Sequence, residues 1–448
     1  MRETRFFLFL VCFCSTLVAQ TAGKQFTLQQ AIDFALANGY SVKNAATDIE
    51  IARKKVIELR GIGLPQVKAD ASFQNFLQVP VSLIPAGAFD PSAPDNAYLR
   101  LPFGVQYNLS YGYTASWLVF SGEYIVGLQA SRTYVDYTKS NLRKSEIEIK
   151  EGVTRAYQTL LVLNENKKIL EENIKNLDRF LFETEAIQKE GFVEELDVDR
   201  IKLIRNNLKS SLDNLNQQKN LAEKLLKFQM GYDVNTSISL SETFDSFTSS
   251  IVVSATQEPK FDFSASADNR LIELGLRLQT LSHKRTLANY LPTLSTYYSW
   301  KENRVNNDLK FLTDPDFRVP GGTLLGINLS VPVFQGLSQK ARVQQAKLEL
   351  DKIKVLQSQA SQGYDLKSSQ AWSEFKAAMN TFRDRKESVS LAIRIRDRSA
   401  TKYREGVGSS IELIQAENDL LSAQSNYIIS AMQLMDANVS LNKQLNLF

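Results

Sequence analysis

One long segment occurs twice in this chain of 448 residues. The first copy runs from about Leu64 to Gly231 and the second from about Leu291 to the C-terminus. Each reads Leu-Pro, an alternating stretch, a loop bearing Pro and Asp, another alternating stretch, and Val-Phe-x-Gly. A very long helical stretch, a glycine turn and a shorter returning helix follow. Leu64-Pro65 superposes on Leu291-Pro292, Val119-Phe120-Ser121-Gly122 on Val333-Phe334-Gln335-Gly336, and Glu190-Gly191 on Glu405-Gly406. Such a unit is too long for a solenoid repeat. It is a duplicated hairpin module: residues 23–231 and 268–448 form the two repeats, with 232–267 between them.

The alternating stretches predict strands over about 66–79, 103–119, 293–301 and 322–333, because side chains alternate sides along a strand. In the first, Val67, Ala69, Ala71, Phe73, Leu77 and Val79 share a face, with Asn75 a misfit, against Gln66, Lys68, Asp70, Ser72, Gln74 and Gln78. In the second, Phe103, Val105, Tyr107, Leu109, Tyr111, Tyr113, Ala115 and Trp117 oppose small and amide residues. The third sets Leu294, Thr296, Tyr298 and Trp300 against Thr293, Ser295, Tyr297 and Ser299. The fourth sets Leu325, Ile327, Leu329, Val331 and Val333 against Gly322, Gly326, Asn328 and Ser330. A soluble sandwich shows the same alternation. These strands, however, reach the ~9–11 residues that cross a bilayer obliquely. Their apolar faces also carry Tyr107, Tyr111, Tyr113, Trp117, Tyr298 and Trp300, as interfacial girdles do.

Unpaired backbone groups in lipid cost several kcal/mol each, so an open four-stranded sheet cannot sit in a membrane. Three copies supply twelve strands, within the range of closed barrels. The expected fold is therefore a mixed α and β membrane protein: a trimeric 12-stranded β-barrel, four strands per chain, continued by an α-helical coiled-coil barrel.

Arg2 and Arg5, an apolar run from Phe6 to Phe13 and small residues up to Ala19 or Ala22 make residues 1–22 an expected secretory signal peptide. The run is too short for a membrane anchor. The only cysteines, Cys12 and Cys14, fall inside it, which leaves the mature chain without disulfides or thiolate sites. Neither cysteine follows the small residue that lipidation usually wants. A net charge of +4, from 53 basic and 49 acidic residues, gives no footprint for nucleic acid.

The helices are expected over about 28–59, 123–189, 195–230, 268–289, 337–402 and 410–445. At ~1.5 Å per residue the two longest are roughly 100 Å each, and pairs of short ones sum to nearly the same length. Thr27-Leu28-Gln29-Gln30 reads as a capping box. Leu413, Leu420, Tyr427, Leu434 and Leu441 repeat every seven residues. Ile414, Leu421, Ile428 and Met435 do the same, as do the small residues Ala416, Ala423, Ser430 and Ala437 and, earlier, Ile201, Leu208, Leu215 and Ala222. Sustained heptads mean coiled-coil packing. Residues 232–267, rich in Ser, Thr, Asp and Phe, are expected to form a belt of short elements.

In this combination the chain resembles the TolC-type outer-membrane efflux proteins. The likeness runs from Phe26-Thr27-Leu28 through Leu441. It rests on the duplicated Leu-Pro starts, the paired Val-Phe-x-Gly exits and the glycine turns. The resemblance implies a homotrimer in outer-membrane lipid with a periplasmic tunnel. It acts as a passive exit duct, for efflux or type I secretion, opened by a periplasmic adaptor (membrane fusion) protein and an inner-membrane pump. It also implies a gate. Tyr403-Arg404-Glu405-Gly406 matches the second turn, followed by Glu412 and by Gln415 where a second acid is frequent. Asp197 matches an acid that latches onto Tyr403 across neighbouring helices. Gly408 stands where a basic partner is common, so one latch arm is absent. Gly191, Phe192, Val193, Gly406, Val407, Gly408 and Ser409 fall at the adaptor-contact turns.

The alternative is a periplasmic coiled-coil adaptor or structural protein without a membrane barrel. Enzymatic chemistry is not expected. His283, on an expected exposed helix site, is the only histidine, so no nucleophile–His–acid set can be assembled. Gly61-Ile62-Gly63 reads as a helix C-cap, and no cofactor or metal is implied.

Overall fold

The computed structural model describes residues 24–89, 91–102, 104–253, 259–309 and 318–448. The expected signal segment and Phe103 lie outside the described residues. The chain divides into two compact units. One gathers residues 45–143 and 264–362, the other the described parts of 1–44, 144–263 and 363–448.

The first unit carries an antiparallel sheet of four strands in the order β2 (Gln66–Asn75), β5 (Tyr107–Ser121), β7 (Thr293–Asn306), β8 (Arg318–Ser330). The register sets the predicted faces side by side. Ala69, Tyr113, Trp300 and Thr323 share one cross-strand row, and Ala71, Tyr111 and Glu302 the next. Tyr113 stacks on Trp300 with ring centroids 5.5 Å apart, and Trp300 meets Tyr111 edge-on at 6.1 Å. Tyr298 lies 6.1 Å from Tyr113. The aromatics thus form one continuous patch. The indole N–H of Trp117 donates to the Gly63 carbonyl at 2.9 Å.

The strand ends depart from expectation for local reasons. β2 stops at Asn75, short of its expected end, and β8 stops at Ser330, before Pro332, which cannot donate to a ladder. β7 runs on to Asn306, past the expected end, and brings Glu302 and Arg304 onto the aromatic face. Glu302 is buried there; it accepts from the Tyr111 hydroxyl at 2.5 Å and lies 3.9 Å from Arg304. The Pro- and Asp-bearing loop between the first two expected strands contains a hairpin of β3 (Val81–Pro85) and β4 (Tyr98–Pro102).

In the second unit the caps behave as the residues predict. Thr27 accepts from the Gln30 amide, and the Gln30 side chain accepts from Thr27 N–H. The expected single helix over 28–59 is two, α1 (Leu28–Asn38) and α2 (Tyr40–Ile62), broken at the extended Gly39. β1 (Lys24–Phe26) pairs in parallel with β6 (Ile238–Leu240), and the Tyr157 hydroxyl donates to the Phe26 carbonyl at 3.0 Å.

The long helices are α3 (Gly122–Lys189, 68 residues) and α7 (Ser338–Arg404, 67 residues), both unbroken. The returning helices are α4 (Glu195–Met230) and α8 (Ser410–Gln444); α6 (Ala267–Ala288) precedes β7. The leucine heptad of α8 is buried throughout, as are Ile201, Leu208 and Leu215 of α4, while Ala222 is half-buried. Each fully buried Leu or Ile contributes roughly 1.5–3 kcal/mol over an exposed one, so these seams rather than helix propensity hold the bundle. The belt segment supplies α5 (Phe244–Val253), whose Phe244 and Ile251 pack into the same cluster as Tyr427, Leu434 and Met435. No described helix is long and apolar enough to cross a membrane.

Candidate functional site

Two glycine turns end the long helices. Gly191 follows α3 at φ 82° and Gly406 follows α7 at φ 74°, a left-handed conformation that an L side chain resists. Phe192 is 84% exposed and Val407 79%. Val193 and Gly408 are half-buried rather than open. Ser409 is the N-cap of α8; its hydroxyl accepts from the Glu412 amide at 3.2 Å. Its position therefore builds the helix start.

The turns are tied together through side chains. Asp197, in the first turn of α4, accepts from the Ser410 hydroxyl at 2.7 Å, and Arg200 lies 3.7 Å away. The expected partner Tyr403 is not on Asp197 within the chain. Its ring meets Phe180 edge-on at 5.4 Å, and its buried hydroxyl has no hydrogen-bond partner among the described residues. Glu412 pairs with Lys402 at 3.1 Å, so a cation reaches this turn from the last turn of α7 although Gly408 carries none. Gln415 donates to Asp419 one helical turn on, at 2.8 Å.

Sequence reading missed Glu417 and Arg396. Glu417 falls four residues after Leu413 and three before Leu420, which places a carboxylate on the buried seam of α8. That position was the available signal. Arg396 lies 3.5 Å from Glu417 and 2.8 Å from Asp397. Burial pushes the Glu417 carboxyl above its usual range, the Arg396 charge opposes this, and Asp397 adds to it. Phe180, Tyr403, Arg396 and Glu417 line a cavity of about 250 Å³. Arg396 and Glu417 thus face one another as an ion pair, while Arg396 Nε and the Tyr403 hydroxyl are buried without a hydrogen-bond partner among the described residues. His283 is half-buried, and no group of three or more His, Cys, Asp or Glu suited to a metal occurs among the described residues.

Residues 282–447 match the family model described as outer membrane efflux protein. That stretch, less than half of the chain, is similar to an efflux-protein domain. The chain superposes on CusC, a protein described through transmembrane channel formation, with a TM-score of 0.71 over 96% of this chain and 95% of that one, at 16% identity. The CmeC outer membrane channel of Campylobacter jejuni gives 0.70 over 93% and 85%, at 17% identity. Protein CyaE of Bordetella pertussis is 27% identical over 108 residues, which spans 24% of this chain and 23% of that relative's length. The matched stretch contains β7, β8, α7, α8 and the whole second turn, including Tyr403, Glu412, Gln415 and Glu417. Asp197 and the first turn lie in the other repeat.

Proposed function

We propose that this protein is a passive exit duct in the outer membrane, serving an efflux or type I secretion system. The observation that carries the reading is the four-stranded sheet with two open edges, β2 and β8, and one apolar aromatic face. Open edges are not tolerated in lipid, so closure comes from further copies. Three copies make a twelve-stranded barrel, with the long helices forming a periplasmic tunnel. An adaptor and an inner-membrane pump act at the glycine turns.

The turns serve as the gate in this reading. Within the chain Asp197 is held by Ser410 and Glu412 by Lys402; between chains Asp197 and Tyr403 latch neighbouring helices in this reading, and opening separates them. The double change Asp197→Ala with Tyr403→Phe then raises single-channel conductance in planar bilayers. Unchanged conductance places the constriction elsewhere.

The decisive experiment for the duct is assembly. Protein extracted from membranes in mild detergent should measure as a trimer by mass photometry. A stable monomer, or recovery only in the soluble periplasm, overturns shared-barrel closure and favours the soluble coiled-coil alternative.

A further inference from the structure

The polar face of the sheet is read off the register. Gln66, Lys68, Asp70, Ser72 and Gln74 of β2 pair with Ser116, Thr114, Gly112, Ser110 and Asn108 of β5. Those pair in turn with Tyr297, Ser299, Lys301, Asn303 and Val305 of β7. On β8, Leu324, Gly326 and Asn328 complete the rows of Ser299, Tyr297 and Ser295. Among these positions only Lys68, Asp70 and Lys301 are charged. They occupy two adjacent rows: Lys68–Thr114–Ser299, and Asp70–Gly112–Lys301.

The surroundings of Lys301 are built from glycine. Gly112 stands beside it on β5, where an added Cβ would lie 2.3 Å from the Trp300 carbonyl oxygen. Gly321 flanks it on β8, where an added Cβ would lie 2.7 Å from the Lys301 carbonyl oxygen. The β7–β8 register shifts at this point, between Trp300 and Glu302. No side chain therefore crowds Lys301 from either neighbouring strand. Asp70 stands two strands away, roughly 10 Å across the glycine. Lys68, Asp70 and Lys301 are all exposed, and no described residue forms an ion pair with any of them.

Two lysines against one aspartate leave one uncompensated positive charge per chain on this face. The opposite face differs: Glu302 and Arg304 stand within reach of one another, and below them come aromatic and aliphatic side chains. Resting on the duct reading, in which the polar face lines the lumen, we infer that Lys68 and Lys301 form a cationic belt inside the barrel that favours negatively charged permeants. Asp70 partly offsets it. The recognised chemistry is a solvated anion, such as a carboxylate, sulfonate or phosphate ester, held by long-range attraction and not by a fitted pocket.

Reversal potentials of single trimers in a KCl gradient test this. Coulomb attraction at about 10 Å, damped by about one screening length at 0.1 M salt, predicts that K68Q with K301Q lowers the chloride-to-potassium permeability ratio by about two- to fourfold. D70N should raise the ratio, and the effect of all three should shrink at 1 M salt. Lys301→Arg controls for folding and should leave the ratio unchanged. Lys301→Cys, treated from the aqueous side, should lose anion preference with a sulfonate thiol reagent and regain it with an ammonium one. Conducting trimers whose ratio ignores all these changes overturn the belt while leaving the duct intact. Wild-type trimers that form no conductance steps overturn the duct, and the belt with it.

Discussion

The Ser410 hydroxyl donates to the Asp197 carboxylate at 2.7 Å, joining the first turn of α8 to the first turn of α4. The two residues are 213 positions apart and belong to different repeats. Hydrogen bonds to a charged acceptor contribute roughly 1.5–3 kcal/mol. Ser410→Ala should speed hydrogen exchange at the first amides of α8 by about tenfold or more, since 1.4 kcal/mol is one decade. Asp197→Ala should do the same, and the double variant little more. Additive effects would show that the two residues act separately.

The buried Glu417 makes local stability depend on pH. Its carboxyl is raised in the folded protein, so the fold holds this proton at a pH where the unfolded chain has released it. Stability should rise as pH falls from the raised value to the ordinary carboxylate value, and level off below it. Glu417→Gln should remove that rise. Melting curves of both forms across the acidic range, read with a probe on the α7–α8 contact, check it.

Lys227 is buried near the end of α4. It pairs with Glu223 at 2.7 Å and donates to the Val234 carbonyl at 3.2 Å. Removing one partner of a buried pair leaves the other charge poorly solvated. Glu223 keeps some exposure, so Lys227→Ala should cost about 2–3 kcal/mol, at the lower edge of such cases. Limited proteolysis should then cut within residues 231–240 faster than in the wild type.

Phe192→Asp and Val407→Asp change side chains that touch little, so stability should move by less than about 0.5 kcal/mol. Export should nonetheless fall while trimer yield holds, if these turns meet the adaptor. Ser409 needs a separate control: Ser409→Ala removes an N-cap and should itself cost about 1 kcal/mol. A fall in trimer yield with Val407→Asp would make the turn structural.

What was legible in the sequence depended on periodicity. The helix spans 195–230 and 410–445 came within a residue, because glycine turns and heptads mark both ends and faces. The strands were legible as faces but not as lengths. Pro332 closed β8 early, and β7 ran past Lys301 because Glu302 is satisfied by Tyr111 across the ladder. The break at Gly39 escaped because the apolar pattern continues through it. Partners at the turns were the least legible. That Asp197 meets Ser410 is decided by how two repeats approach one another, which no spacing within one repeat records, and that Glu412 meets Lys402 is decided by how the second turn folds α8 back onto α7.

The two open sheet edges have a genetic consequence. In the proposed trimer each edge strand is completed by another copy, so a chain defective at β8 spoils the assembly and not only itself. With random mixing of equal amounts, only about one trimer in eight is free of the defective chain. Variants that damage the β2 or β8 edge but still fold should therefore act as dominant alleles. Variants that unfold the chain before assembly should be recessive.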